Sequence, residues 1–271
     1  MNDGASAPAP APASAFPSLA DARAVVPDLV SVIIPAFNEE RTIEEIVRRV
    51  WALPFKKEVV VVDDGSRDGT AQALQRVANA LSAGPRDDEA EVRVHVAPIN
   101  LGKGTAVRIG YALARGGILA VQDADLELFP EDLGRLVARF EDPAVEAVYG
   151  SRFAAPGFTC TRRQRVANGA LTLLTRALYG GKLTDMETCY KLFRRSVVER
   201  LQLVSTRFEF EPEVTAKVLR LGVTIHEEPI RYHARTVAAG KKIRPWDGVV
   251  AAATLVRWRV AGMERVVRRG S

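Results

Sequence analysis

From Leu29 onward, short unbroken apolar runs alternate with amphipathic stretches, and this alternation limits the fold more than any other feature of the chain. The run Val59-Val60-Val61-Val62 has no polar face to turn to water. It suits a strand buried on both sides, as in a parallel sheet covered by helices. Between such runs, Ile43, Ile46, Val47 and Val50 recur at helical spacing, with Asn38 as N-cap and Pro54 just past the end. The pattern predicts strands over 30–35, 58–62, 92–96, 118–122 and 145–149, and near 223–226. Helices are predicted from Thr70 through Leu74, Val77 and Leu81, and over 104–115, 131–140, 165–179 and 211–221. Strands joined by crossover helices make an α/β protein with a Rossmann-like, mainly parallel sheet flanked by helices.

At 271 residues, 47% hydrophobic and 26% charged, the chain can bury one large core. Residues 1–27 are dominated by Ala, Pro and Ser and read as a disordered tail, with 28–245 as the single folded domain and 246–271 as a basic C-terminal helix. Alternating Ala and Pro interrupt the apolar stretch a signal peptide needs, and two isolated cysteines, Cys160 and Cys189, build neither a disulfide framework nor a zinc site. A cytoplasmic protein is expected. The net charge of +5 is concentrated around 162–165 and 257–269, which implies anionic partners. Nucleic acid is not expected, because no aromatic residues interleave those arginines.

No run reaches the roughly 18–20 apolar residues that span a bilayer. Trp246, Val249, Val250, Ala253, Val256, Val260 and Met263 nevertheless recur at helical spacing, beside Arg257, Arg259, Arg265, Arg268 and Arg269. Two readings stand for this amphipathic helix: peripheral contact with an anionic membrane, on its cytoplasmic face, or docking on the core with snorkelling arginines.

In an open parallel sheet, ligands bind outside the carboxyl ends of the strands. Three polar clusters fall there: Pro35-Ala36-Phe37-Asn38-Glu39, Asp63-Asp64-Gly65-Ser66 and Asp123-Ala124-Asp125-Leu126-Glu127. On an extended chain Asp123, Asp125 and Glu127 would point the same way and repel, and a hard divalent cation relieves that repulsion. The alternative is an acidic loop that caps the next helix. Asp63-Asp64-Gly65-Ser66 reads either as a turn or as carboxylates facing a ribose or base. Asn100-Leu101-Gly102-Lys103-Gly104 suits a phosphate at a helix start, although it matches neither the P-loop nor the dinucleotide glycine pattern. The absence of the dinucleotide fingerprint after the first strand argues against a nicotinamide dehydrogenase. His95, His226 and His233 form no metal-ligand pair, and only His233 lies close to a candidate site residue, Arg235.

Taken together, five motifs resemble the family 2 glycosyltransferases of the GT-A fold, over about residues 29–258. They are Ile-Pro-Ala-Phe-Asn-Glu at 34–39, Val-Asp-Asp-Gly-Ser-Arg-Asp-Gly-Thr at 62–70, Asn-Leu-Gly-Lys-Gly at 100–104, Asp-Ala-Asp at 123–125 and Gly-Ser-Arg-Phe at 150–153. The resemblance is especially to the dolichol-phosphate mannose synthase and polyprenyl-phosphate glycosyltransferase branch. The resemblance implies inverting transfer of mannose or glucose from GDP-mannose or UDP-glucose to a polyprenyl phosphate, with Mg²⁺ or Mn²⁺. It implies that Pro35, Phe37, Glu39, Val62 and Asp64 surround the nucleoside, with Phe37 where the family often has Tyr. Gln122, Asp123, Ala124 and Asp125 would line diphosphate and metal, with Glu127 as a third metal-facing group. Arg152, Arg235 and Lys241 match basic residues aimed at phosphates, and the last position could shift to Lys242; Lys103 would join the cofactor site.

The segment Thr184-Asp185-Met186-Glu187-Thr188-Cys189-Tyr190-Lys191 lies where relatives acting on hydroxyls carry a base. A hydroxyl acceptor must lose a proton and a phosphate acceptor need not, so Asp185 and Glu187 read either as structural or as catalytic. The alternatives to the phosphate acceptor are therefore a hydroxyl acceptor with one of these carboxylates as base, and a sugar-nucleotide-binding module without turnover.

Overall fold

The computed structural model describes residues 25–83, 90–158, 160–234 and 245–268. In chain order the elements are β1 (Val26–Ala36), α1 (Ile43–Trp51), β2 (Lys57–Asp63), α2 (Thr70–Ser82), β3 (Glu91–Val96), α3 (Lys103–Leu113), β4 (Gly116–Val121) and α4 (Leu133–Ala138). They continue as β5 (Ala147–Ser151), α5 (Arg162–Tyr179), β6 (Lys191–Arg194), α6 (Arg195–Arg200), α7 (Phe210–Arg220), β7 (Ile225–Pro229) and α8 (Pro245–Val260).

Among the described residues the seven strands form one sheet in the order β3-β2-β1-β4-β6-β5-β7. β6 runs antiparallel to both its neighbours and every other pairing is parallel. Side chains alternate across β1: Val30, Val32 and Ile34 join a core with α1, α2 and α4, whereas Ile33 faces a second core with α3, α6 and α7. Gly110 lets α3 lie close on β1, since a Cβ there would stand 2.3 Å from Ile33 Cγ2. The parallel register aligns Ala36 with Asp63 and Ile33 with Val121, so the polar clusters after β1, β2 and β4 emerge at the same edge. The order reverses between β1 and β4, the position at which open α/β sheets hold ligands.

One acid is embedded in the sheet. Glu58 is fully buried on β2 and accepts from Ser31 Oγ at 2.5 Å, Arg93 Nη2 at 2.9 Å, Arg115 Nε at 3.1 Å and the Arg115 amide. Burial pushes its carboxyl up, but these donors together hold it below the usual glutamate range.

Several expectations are corrected. β1 starts at Val26, whose amide donates to Arg115 O at 2.9 Å, so Val26 and Pro27 belong to the sheet and not to the tail; residues 1–24 lie outside the described residues. Asn38 does not cap α1. It sits at φ +55° and its Oδ1 accepts from the Arg67 amide, while Thr42 holds the N-cap position. The predicted helix over 131–140 is split into α4 and two flanking 3₁₀ turns, Pro130–Asp132 and Arg139–Glu141. β6 and α6 carried no periodic signal, because four and six residues are too few to show one.

The C-terminal helix ends at Val260 and is followed by a 3₁₀ turn, Met263–Arg265, and a bridge between Leu201 and Val267. It docks on the core: Ala251, Leu255 and Trp258 are buried with Leu171, Met186 and Ala216. Arg220 Nη1 holds the helix end through Trp258 O at 2.7 Å and Ala261 O at 2.6 Å, a cation satisfying orphan carbonyls. Among the described residues no helix is long and apolar enough to cross a membrane.

Candidate active site

At the shared strand edge, Asp64 first builds its own surroundings. Its carboxylate accepts from the amides of Leu101 at 2.7 Å and Gly102 at 2.8 Å, which ties the loop before α3 to the end of β2. Burial raises the Asp64 carboxyl despite those two bonds. Gly102 needs no Cβ twice over: its φ is +94° and a Cβ would lie 2.4 Å from Thr206 O. Asp63 Oδ1 accepts from the Ser66 amide at 3.0 Å, while its Oδ2 is buried with no hydrogen-bond partner.

Of the residues expected around a nucleoside, Pro35, Phe37 and Glu39 are partly exposed beside this loop. The Thr42 hydroxyl donates to Glu39 Oε2 at 3.0 Å, and the Glu39 amide donates to Thr70 Oγ1 at 2.9 Å. Val62 departs from expectation, because its side chain is buried among Ala106 and Ile109 and its strand is paired with β1 on one side and β3 on the other.

The acid cluster after β4 is a turn and not the extended chain assumed above. Leu126 takes a left-handed φ of +58°, and the Glu127 amide donates to Asp125 Oδ1 at 3.1 Å, so strand alternation does not aim the three carboxylates together. Asp123 Oδ1 lies 2.8 Å from Lys103 Nζ, which also reaches Glu211 Oε1 at 3.2 Å and Cys189 Sγ at 3.1 Å. Glu211 Oε2 is 2.7 Å from Lys191 Nζ, itself fully buried and donating to Met186 O at 2.9 Å. Charges thus alternate from Asp123 through Lys103 and Glu211 to Lys191. Burial alone would lower the Lys103 ammonium, but Asp123, Cys189 and Glu211 hold it well above the ordinary lysine value. Gln122 is buried below the turn, donating from Nε2 to Asp123 O at 3.0 Å and accepting from Tyr190 Oη at 2.5 Å; Ala124 is buried as well.

A second chain of contacts leaves the other end of the turn. Tyr232 Oη donates to Glu127 Oε2 at 2.9 Å, and the His233 amide donates to Glu127 O at 2.8 Å. The Arg152 guanidinium lies 5.3 Å from the Tyr232 ring centre and clasps Asp185 through Nε at 2.7 Å and Nη2 at 2.8 Å. Asp185 is completely buried, and burial of Arg152 is outweighed by this carboxylate, which holds the guanidinium firmly charged. Both chains end in the segment 184–191. Between them, Glu187 Oε1 is buried without a hydrogen-bond partner; burial pushes its carboxyl up to about 7, against the pull of Lys191.

Among the described residues, no group of three or more acids, histidines or cysteines converges to hold a metal by itself. Glu127, given to Tyr232 Oη, does not complete such a set. The donors still fit a hard cation of the kind that takes one or two carboxylates and completes its shell with diphosphate oxygens. Asp123 is placed to face a positive charge, since the Lys103 ammonium is ion-paired with it at 2.8 Å. Arg235, Lys241 and the alternative Lys242 lie outside the described residues. Sequence reasoning missed Glu211, Lys191, Tyr190 and Tyr232. Tyr190 and Lys191 close the segment 184–191 and Tyr232 stands three residues before Arg235, so proximity to those stretches was their one signal; Glu211 had none.

The family model described as Glycosyl transferase family 2 matches residues 31–202. The chain is 36% identical over 193 residues to an undecaprenyl-phosphate 4-deoxy-4-formamido-L-arabinose transferase of Pseudomonas aeruginosa, covering 68% of this chain and 52% of that protein. It therefore spans about half the length of that curated relative. A polyprenol monophosphomannose synthase of Mycolicibacterium smegmatis is 30% identical over 217 residues, 78% of this chain and 79% of that protein. Among solved structures, glucosyl-3-phosphoglycerate synthase of Mycobacterium tuberculosis, in complex with Mn²⁺, UDP-glucose and phosphoglyceric acid, superposes with a TM-score of 0.63. That match has 21% identity and covers 86% of this chain and 80% of the other, a likeness of fold.

Proposed function

Because this chain belongs to glycosyltransferase family 2, we propose that it transfers a hexose, mannose or glucose, from GDP-mannose or UDP-glucose to a polyprenyl phosphate. The observation that carries the reading is the Asp123–Lys103 contact, which brings a carboxylate turn and the cationic start of α3 together at the edge where β1, β2 and β4 end. The activities of these two relatives, both on polyprenyl carriers, support the acceptor class.

In this reading Asp123 and Asp125 would hold Mg²⁺ or Mn²⁺, which when bound would neutralise charge on the leaving diphosphate. Lys103, released from Asp123, contributes a second positive charge on the same side. Pro35, Phe37, Glu39 and Asp64 surround the nucleoside, and Gln122 and Ala124 fix the turn from beneath. Arg235 and Lys241 hold the acceptor phosphate in line with the anomeric carbon, and inversion follows. Catalysis then comes from placement and electrostatics. Arg152 acts on the turn through Tyr232 and Glu127. Asp185 has both oxygens engaged by Arg152, so we assign it a positioning role and not that of a base. The enzyme works at the cytoplasmic face of the membrane, with α8 beside the bilayer.

A second reading, transfer to a hydroxyl, is favoured by one observation: the unpartnered Glu187 Oε1 on a carboxyl pushed up to about 7, a value suited to a general base near neutral pH. The test is transfer of label from GDP-mannose and UDP-glucose, with Mg²⁺ or Mn²⁺, to a short polyprenyl phosphate and to the matching polyprenol. Label on the phosphate alone supports the proposal. Label on the alcohol, lost in Glu187→Gln, moves the assignment to the hydroxyl reading; metal-dependent nucleotide binding without transfer or donor hydrolysis leaves a binding module.

A further inference from the structure

A helix docked on a core needs one apolar face, and α8 has two. Ala251, Leu255 and Trp258 fill the inner one. On the opposite side, Trp246 (69% exposed), Val249, Val256 and Val260 (79% exposed) are open to solvent, stepping three, seven and four residues along the helix. α5 repeats the arrangement. Its inner face buries Leu171, Thr172 and Thr175, while Val166 and Leu173 on the outer face are 71% and 66% exposed.

The two helices lie side by side on a common floor, since Leu171 of α5 and Ala251, Leu255 and Trp258 of α8 pack into one cluster with Met186 and Ala216. Tyr179 Oη of α5 also donates to Leu255 O of α8 at 2.5 Å. Faces opposite a shared floor point outward together, so the two open stripes belong to one side of the molecule. Positive charge predominates there. α5 contains no acid and α8 only Asp247, whereas Arg162, Arg165, Arg257, Arg259 and Arg265 are all exposed, with Glu264 the one exposed acid in the turn that follows.

We infer that α5 and α8 together form a docking face for an anionic lipid bilayer, in which the apolar stripes enter the interface and the arginines meet the headgroups. A paired apolar face ringed by arginine, with a tryptophan at one end, is the composition that binds at the headgroup boundary. The same positive rim would repel a second copy of itself across a symmetric interface, which favours lipid over self-association. This inference rests on the membrane placement proposed above and adds the surface and the lipid charge; vesicles that contain no polyprenyl phosphate test it separately from the transfer reaction.

The full chain is co-sedimented with vesicles of phosphatidylcholine alone and of phosphatidylcholine mixed with phosphatidylglycerol, alongside Leu173→Glu and the double variant Val256→Glu/Val260→Glu. These positions are exposed, so circular dichroism and unfolding midpoints should match the parent. Binding is expected on the anionic vesicles only, weaker at 1 M salt, and reduced about tenfold or more by either variant, as loss of apolar burial at the interface requires. Undiminished binding by Leu173→Glu removes α5 from the face. Binding indifferent to anionic lipid or salt, or a concentration-dependent dimer split by these variants without vesicle binding, overturns the inference.

Discussion

Arg152 and Asp185 show how a residue's role depends on what is spent on it locally. The carboxylate is completely buried and takes two side-chain bonds and the Arg152 amide at 3.0 Å. Removing one partner strands the other: Arg152→Ala is expected to lower unfolding free energy by about 3–5 kcal/mol, read from urea denaturation, as for other broken buried pairs. Two glutamates should titrate with opposite sign. Glu58 is held below its ordinary value of 4.5, so the stability it contributes is present above pH 4.5 and is lost as pH falls through its lowered folded value. Glu187 is pushed up to about 7, so between 4.5 and about 7 the folded protein keeps a proton that the unfolded chain has shed, and stability falls as pH rises across that window. Urea midpoints against pH should lose the acid-side slope in Glu58→Gln and the neutral-side slope in Glu187→Gln.

At the scale of elements, α3 is the piece on which the site depends. Its first residue, Lys103, meets Asp123, its preceding loop is held by Asp64, and its middle lies on β1 through Gly110. Gly110→Ala would drive a methyl group into Ile33 and is expected to cost about 1–3 kcal/mol, with weaker nucleotide binding as Lys103 moves with the helix. An unchanged nucleotide affinity in a destabilised Gly110→Ala protein would mean that the loop, and not the helix, sets the lysine. Elements of this length were legible in the sequence because ten or so residues display a period. β6 was not, since Lys191-Leu192-Phe193-Arg194 shows no alternation long enough to separate strand from helix, and its antiparallel direction depends on neighbours far away in the chain.

For the whole molecule, the Asp123 and Asp125 side chains are kept separate from the core, beyond the strand ends, although the turn that carries them is anchored in it by Ala124 and Leu128. Asp125→Asn should therefore reduce turnover by about 10²-fold or more while leaving stability within about 0.5 kcal/mol. Loss of folding with activity per folded molecule intact would show that the turn serves structure. The same separation explains which expectations carried over. The amino-acid sequence by itself determined the α/β architecture, the strand edge at which the polar clusters collect and the family to which they belong, because apolar runs, helical spacing and the residues that follow a strand are local facts. Only the tertiary structure decided that Asp185 is committed to Arg152, that Val62 faces the core, that Glu127 is held by Tyr232, and that the apolar residues spaced along α8 are its outer face while Ala251, Leu255 and Trp258 form the inner one. Those outcomes come from contacts between groups far apart in the chain, from 33 residues for Arg152 and Asp185 to 105 for Glu127 and Tyr232, and no short-range pattern encodes them.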